Sequence, residues 1–337
     1  MKMFKKTIKT NIIYTGDCLN ILKTLPNDSV QCCITSPPYY NLRDYETAEW
    51  DGGSLTCDHS IFLGGHGENS KKQITSSDTQ KYQYKDICKR CGAKRIDKQI
   101  GVEKTVEEYI EKLVVVFCEI RRILKPNGTL WLNIGDSYTN STTKTDKCKI
   151  KDLLGIPWTL AFAMRDDGWY LRQDIIWAKG NPMPESVLDR CTKSHEYIFL
   201  MTKSGKYYFD SKAIREPNQD TYNGKRGTTL TRKKMQSAMR DFSDKEKMKK
   251  YSTEGRNKRD VWHINAKPFL GAHFATFPPK LVEICILAGC PENGIVLDPF
   301  GGSGTTGAVA NSLNRKYIMI ELNSKYVKLA EERIKGR

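Results

Sequence analysis

A chain of 337 residues has room for one large α/β domain with insertions, or for two modest domains, and can bury a sizeable core. Its 55 lysines and arginines against 39 acidic residues give a formal net charge of +16, which favours polyanionic partners and nucleic acid above all, although a ribosome-associated or membrane-surface protein would share that balance. No apolar run reaches the roughly 18 residues of a membrane span and no charged start leads into an apolar stretch, so the expectation is a soluble, non-secreted protein whose cysteines are thiols or metal ligands.

Residues 11–25 read as a short strand, a Gly16-Asp17 turn and a helix with Leu19, Leu22 and Leu25 on one side. Asp17 falls at the junction, where the ordinary role of an aspartate is a helix N-cap. Residues 30–35 (Val-Gln-Cys-Cys-Ile-Thr) form a buried strand, so the first two strands make a β-α-β unit expected to pair in parallel. Ser36-Pro37-Pro38-Tyr39 follows at once: two prolines fix two φ angles and remove two donors, leaving a rigid, aromatic-tipped turn at the carboxyl end of a strand. Open α/β sheets hold their ligands at such ends; a plain surface turn is the other reading of the same residues.

From residue 41 to about 100 the pattern gives way to a polar, glycine-punctuated stretch too long for an unsupported loop. Cys57 and His59, with Cys88 and Cys91, offer a staple of the ligand types that tetrahedral zinc takes, and one structural zinc is expected here; a reduced or redox-active cysteine pair is the alternative. Cys32, Cys33, Cys118, Cys285 and Cys290 lie in apolar runs and are expected in the core. Helical spacing returns over 106–124, with Pro126-Asn127-Gly128 as its stop, followed by a strand over 129–134. Asp136 then either faces the ligand crevice or starts a turn. A helix over 155–168 and strands over 169–178 and 195–203 come next, with the rigid loop Asn181-Pro182-Met183-Pro184-Glu185-Ser186 between the strands.

Residues 211–260 are the densest positive stretch, with Lys225, Arg226, Arg232, Lys233, Lys234, Arg256, Lys258 and Arg259 among few apolar positions. A solvated face is the usual meaning of such a run, and contact with a phosphate backbone is the functional one. After a helix over 281–288, a buried strand over 294–297 exits into Asp298-Pro299-Phe300-Gly301-Gly302-Ser303-Gly304-Thr305-Thr306, and a helix, a strand over 316–320, Glu321 and a closing helix follow. A glycine loop running into a helix lets backbone approach a ligand and offers free N–H groups. Glu321, about 20 residues on, stands where an acidic side chain takes ribose hydroxyls. Neither Gly-x-Gly-x-x-Gly nor Gly-x-x-x-x-Gly-Lys-[Ser/Thr] occurs, so the ligand expected is an adenosine whose other end is not a phosphate.

The Asp298–Thr306 segment resembles the S-adenosylmethionine loop of amino-methylating DNA methyltransferases, and Thr35-Ser36-Pro37-Pro38-Tyr39 resembles their catalytic motif. Catalytic motif first and cofactor loop last is similar to the β-class order of that family. The resemblance covers most of the chain, including Gly16-Asp17, 181–186 and 273–278, and is weakest over 211–260. It implies a circularly permuted Rossmann-like α/β methyltransferase fold with a zinc-binding insertion and a basic target-recognition insertion. The catalytic half would comprise 1–45 and 101–210, the inserted zinc knuckle 46–100, the target-recognition region 211–260 and the cofactor half 261–337. The implied S-adenosylmethionine site is Asp17, Thr35, Phe277, Pro278, Asp298, Phe300, Gly302, Gly304, Thr305 and Glu321; the implied catalytic residues are Ser36, Pro37, Pro38 and Tyr39.

An exocyclic base amine is a weak nucleophile because its lone pair is delocalised into the ring. Acceptors at Ser36 Oγ and the Pro37 carbonyl would hold its two N–H groups while Tyr39 stacks on a base turned out of the duplex. Direct attack on the methyl group needs positioning and no covalent intermediate. A C5-cytosine enzyme would need a Pro-Cys nucleophile, and only the reverse, Cys290-Pro291, is present. Within the family, Ser at the first motif position resembles cytosine-N4 enzymes, with adenine N6 as the alternative. The expected partners are double-stranded DNA and a cognate restriction endonuclease, in the cytoplasm of a prokaryote or phage-infected cell at the nucleoid, as a monomer or homodimer. Two other readings stay open: a non-catalytic zinc-containing nucleic-acid-binding protein, and an RNA or protein-glutamine methyltransferase.

Overall fold

The structure, a computed structural model, describes residues 8–41, 47–63, 80–83, 86–139, 147–217, 255–266 and 278–336. In chain order its elements begin with β1 (Ile12–Thr15), α1 (Cys18–Leu22), β2 (Val30–Thr35), β3 (Glu49–Asp51), β4 (Ser60–Leu63), β5 (Gln80–Gln83) and β6 (Lys94–Ile96). They continue with α2 (Val106–Ile123), β7 (Leu124–Ile134), α3 (Ile156–Asp166), β8 (Tyr170–Ala178), β9 (His195–Thr202) and β10 (Val261–His263). The chain closes through α4 (Pro279–Gly289), β11 (Ile295–Asp298), α5 (Thr305–Ser312), β12 (Lys316–Glu321) and α6 (Ser324–Ile334).

Eight strands make one sheet in the order β1-β12-β11-β2-β7-β9-β8-β10. The run from β1 to β7 is parallel, and β9 turns antiparallel to both β7 and β8. All six residues of β2 are buried, as a central parallel strand covered on both faces requires. Alternation divides them: Cys33 packs with α1, α2 and α3 on one face, and Cys32 and Ile34 with α4 and α5 on the other.

Helix α2 shows how locally consistent the sequence is. Thr105 caps it by accepting from Glu108 N at 3.2 Å, Glu107 and Glu108 meet its positive end, and Arg121 and Arg122 its negative end. Tyr109, Leu113, Phe117 and Ile120 make the buried face. Each such side chain contributes about 1.5–3 kcal/mol by burial.

Four sequence expectations change. β1 and β2 are parallel but not neighbours, because β12 and β11 lie between them; the C-terminal strands of the chain complete the sheet beside β1. β7 starts at Leu124 with no intervening turn and carries Pro126-Asn127-Gly128 within it, opposite a register irregularity in β2 between Val30 and Cys32. Cys118 is exposed, since it sits on the outer side of α2, whereas Cys32, Cys33, Cys285 and Cys290 are buried as expected. The 41–100 insertion contains two antiparallel ribbons, β3 with β6 and β4 with β5, that its polar composition hides. Most of the basic 211–260 stretch lies outside the described residues; at its ends Arg256, Lys258 and Arg259 all meet Glu216, at 3.4, 3.3 and 3.0 Å. No described helix is long and apolar enough to cross a membrane.

Candidate active site and a cysteine and histidine cluster

The carboxyl ends of β1, β12, β11 and β2 lie side by side, and the turns that leave them bring most of the predicted site residues together. Asp298 ends β11 at 1% exposure. Its Oδ1 accepts from Thr35 Oγ1 at 2.7 Å and from Phe300 N at 3.1 Å, while Oδ2 accepts from Thr306 Oγ1 at 2.6 Å. Burial pushes this carboxyl up to about 6, against the opposing pull of these three hydrogen bonds. Asp298 therefore organises the loop from beneath, joining strands β11 and β2 at the point where both exits begin. Thr35 is fully buried and serves the same junction.

Glu321 ends β12. Its Oε2 accepts from Gly302 N and its Oε1 from Asn323 N, each at 2.8 Å, and burial raises its pKa. Gly304 sits at φ 85°, with Ala330 Cα 2.8 Å from the position a Cβ would take, so helix α6 packs directly against the loop there and any side chain would collide with it. Thr305 is buried and accepts from Arg333 Nη1 at 2.8 Å, a second tie from α6. Asp17 caps α1, accepting from Asn20 N at 2.9 Å, and the neighbouring Gly16 N donates to Glu321 O at 2.9 Å. Pro278 is buried at the start of α4, and Phe277 lies outside the described residues.

The Pro-Pro turn stands on the next strand. Ser36 is half-buried, and its Oγ donates to Tyr39 Oη at 3.4 Å. The Pro38 carbonyl accepts from Tyr109 Oη at 2.9 Å, and the Pro37 carbonyl takes no hydrogen bond from any described residue. Tyr39 Oη donates to Glu196 Oε2 at 2.6 Å; burial and then the Glu196 charge hold its phenol well above the usual tyrosine range. The same carboxylate accepts from Asn133 Nδ2 at 3.0 Å and pairs with the Lys179 ammonium. The Tyr39 ring packs close against Gly135, where an added Cβ would meet ring carbon Cε2 at 2.7 Å.

Glu196, Lys179, Asn133 and Arg333 adjoin this site and carried no sequence signal, because isolated polar residues in strands and helices look like solvated positions; Thr306 closes the Asp298 loop motif, though its bond to Asp298 could not be read from it. Asp136, left between crevice and turn, caps the start of α3: its carboxylate accepts from Gly155 N and Ile156 N, each at 3.1 Å.

In the insertion Cys57, His59, Cys88 and Cys91 converge, with their ligand atoms all within 4.8 Å of one another. Cys57 Sγ and Cys88 Sγ are 3.7 Å apart, and Cys91 Sγ lies 3.4 Å from His59 Nδ1. A tetrahedron built on zinc–sulfur bonds of about 2.3 Å and zinc–nitrogen bonds of about 2.0–2.1 Å has edges of roughly 3.8 and 3.5 Å, so the four residues fit that ion. A cavity of about 430 Å³ opens between this insertion and the sheet, lined by Gly16, Asp17 and Asn323 on one side and Thr47, Glu49 and Lys98 on the other.

A mixed sheet whose parallel part carries a buried acidic strand end, a glycine loop and an acidic end to the neighbouring strand defines a Rossmann-like methyltransferase fold. The profile of the DNA methylase family, N6 and N4 type, matches residues 30–332, and the chain belongs to that family. It is 39% identical to the Type II methyltransferase M.XycI of Xanthomonas campestris pv. cyanopsidis, over 98% of this chain and 89% of that protein. It is 40% identical to M.SmaI of Serratia marcescens, over 96% and 91%. In fold it is similar to the PvuII DNA methyltransferase, described as cytosine-N4-specific, with a TM-score of 0.60, 18% identity and coverage of 97% and 87%. It is also similar to a putative DNA modification methylase of Thermus thermophilus in complex with S-adenosyl-L-methionine, with a TM-score of 0.54, 21% identity and coverage of 96% and 92%.

Proposed function

We propose that this Type II DNA methyltransferase transfers the methyl group of S-adenosylmethionine to the N4 amine of cytosine in duplex DNA. The observation that carries the reading is the junction of Ser36-Pro37-Pro38-Tyr39 with the Asp298 loop through one hydrogen bond, Thr35 Oγ1 to Asp298 Oδ1 at 2.7 Å. It sets an amine-binding turn beside a nucleoside loop on adjacent strands. Bound S-adenosylmethionine supplies an electrophilic methyl on a sulfonium. Glu321, through its carboxylate, and Asp17, Phe300, Gly302 and Gly304, through position, are the residues that would hold it, with Phe277 and Pro278 toward its other end. Asp298, Thr35 and Thr305 act on it by shaping the loop, since their polar groups already bond within the protein.

Ser36 Oγ and the Pro37 carbonyl accept from the two amine hydrogens and turn the nitrogen lone pair toward the methyl group. Tyr39 offers its ring to the extruded base from a fixed seat, held at its hydroxyl by Glu196 and against Gly135. The nitrogen–carbon bond forms as the sulfur–carbon bond breaks in a single displacement, so alignment is the main demand. The methylated nitrogen then releases one of its two protons to solvent past the acceptors that hold them. Cytosine is favoured by Ser36 at the first motif position and by the cytosine-N4 specificity in the name of the PvuII neighbour. Adenine N6 is the alternative outcome.

The remaining assignments are made with it. Residues 1–45 and 101–210 form the catalytic half and 261–337 the cofactor half, in permuted order. Residues 46–100 form an insertion stapled by one zinc on Cys57, His59, Cys88 and Cys91, and the basic 211–260 region contacts target DNA. The enzyme works in the cytoplasm, paired with a restriction endonuclease of the same specificity. Purified protein incubated with duplex DNA and labelled S-adenosylmethionine tests the reading. The label should appear in N4-methylcytosine after nuclease digestion, and N6-methyladenine would establish the alternative.

A further inference from the structure

We propose that the β3–β6 ribbon of the insertion is the outer wall of the cofactor's nucleoside site, with Glu49 and Lys98 reaching the adenine, so that metal on the cysteine and histidine cluster sets cofactor affinity. The inference rests on the reading that the nucleoside lies at the carboxyl ends of β1 and β12.

The cavity of about 430 Å³ has the size of a small-ligand site, and its two walls come from different parts of the chain. Gly16, Asp17 and Asn323 lie in the turns that leave β1 and β12; Glu49 and Ile96 belong to the ribbon, and Thr47 and Lys98 lie two residues beyond its strands. The register pairs Glu49 with Ile96, so their side chains share one face of the ribbon, and Thr47 and Lys98, just beyond the strand ends, line the cavity beside them. Trp50 and Arg95 alternate to the opposite face, and there the Trp50 ring stacks on His59 at 4.3 Å between centroids and 17° between planes. One face of a two-stranded ribbon thus meets the cavity, and the other meets a member of the metal cluster.

Both strands are anchored at that cluster. Cys88 N donates to Ala93 O at 2.8 Å and Arg95 N to Asp86 O at 2.7 Å, which fold the turn holding Cys88 and Cys91 onto β6. Just past β3, Gly53 lies so close to Cys91 that an added Cβ would be 2.7 Å from its Sγ. Two strands of three residues have too little packing to persist unaided, and the crosslink supplies what the ribbon lacks. The chemistry of the wall suits an adenine: a carboxylate to accept from its amine, an ammonium to donate to a ring nitrogen, and the Ile96 side chain, 40% exposed, to lie against a ring face.

The test is calorimetric titration of the full-length protein with S-adenosylhomocysteine, which binds without reacting, in wild type and in Glu49→Ala, Lys98→Ala and Glu321→Ala, with zinc content measured on each sample. The ribbon variants are expected to keep their zinc and to bind about tenfold more weakly. Wild type stripped by chelator should bind at least as weakly as either variant and recover when zinc is returned. Ribbon variants that bind like wild type while Glu321→Ala binds weakly would overturn the wall, and unchanged affinity in all three would overturn the cofactor placement itself. Stripped protein that keeps its circular dichroism and full affinity would overturn the coupling. Should stripping unfold the chain, the two ribbon variants, which retain metal, decide the proposal.

Discussion

Thr35 Oγ1 donates to Asp298 Oδ1 at 2.7 Å, although the two residues are 263 positions apart in the chain. The bond spans neighbouring parallel strands at the level where one releases the Pro-Pro turn and the other the glycine loop. Because Asp298 is buried with its carboxyl raised to about 6, it also leaves a mark on stability. The native state holds a proton that the unfolded chain, near the ordinary 3.8, has released. Stability is therefore greater below about pH 4, falls as pH rises to about 6, and is level beyond, by about 3 kcal/mol in total at roughly 1.4 kcal/mol per pH unit. Asp298→Asn should remove most of this slope in urea unfolding between pH 4 and 6, leaving the part that Glu321, raised in the same direction, contributes.

Ser36→Ala deletes one of the two proposed amine acceptors and removes no bond to the glycine loop. Single-turnover methylation should slow by about a hundredfold or more, the scale seen when one preorganised polar contact is lost from an active site. S-adenosylhomocysteine affinity should stay within about twofold of wild type, as expected when a change affects only the transition state. An equal loss in cofactor binding would move Ser36 out of the amine site.

How much of this could be read from the sequence depends on chain distance. The β11 loop, Glu321 and Ser36-Pro37-Pro38-Tyr39 are contiguous patterns whose glycines, prolines and strand ends announce themselves. Glu196 is different. It faces Tyr39 only because β9 runs antiparallel to β7, a pairing that no local spacing encodes. The ribbons of the insertion escaped for a related reason: three-residue strands rich in charge show no alternation long enough to register. The pairing of Cys57 and His59 with the Cys-x-x-Cys knuckle in the same insertion was legible as a candidate cluster, since residue type and spacing alone mark it, and the four side chains do converge.

The Tyr39 seat can be tested through its partner. Glu196→Gln keeps the volume but weakens the hydrogen bond to Tyr39 Oη and leaves Lys179 without its counter-charge. A loosened ring should lower kcat about tenfold, equivalent to about 1.4 kcal/mol, with zinc content and cofactor affinity unchanged. Unchanged kcat would show that the ring needs no such tether.

Elemental analysis should find one zinc per chain, and Cys88→Ser should abolish it, because three ligands hold the ion much less firmly than a closed set of four. In limited proteolysis the cysteine variant should be cut within 47–99 at protease levels that leave wild type whole. A metal-free wild type, with Cys88→Ser equally resistant, would refute the staple.

The most direct test of the central claim is modified-base sequencing, supported by nucleoside mass spectrometry, of DNA from cells expressing the wild-type chain or Ser36→Ala. The account predicts N4-methylcytosine at one short recurring sequence in wild-type cells and none with Ser36→Ala. N6-methyladenine at such a site, or methylation that survives Ser36→Ala, would contradict it.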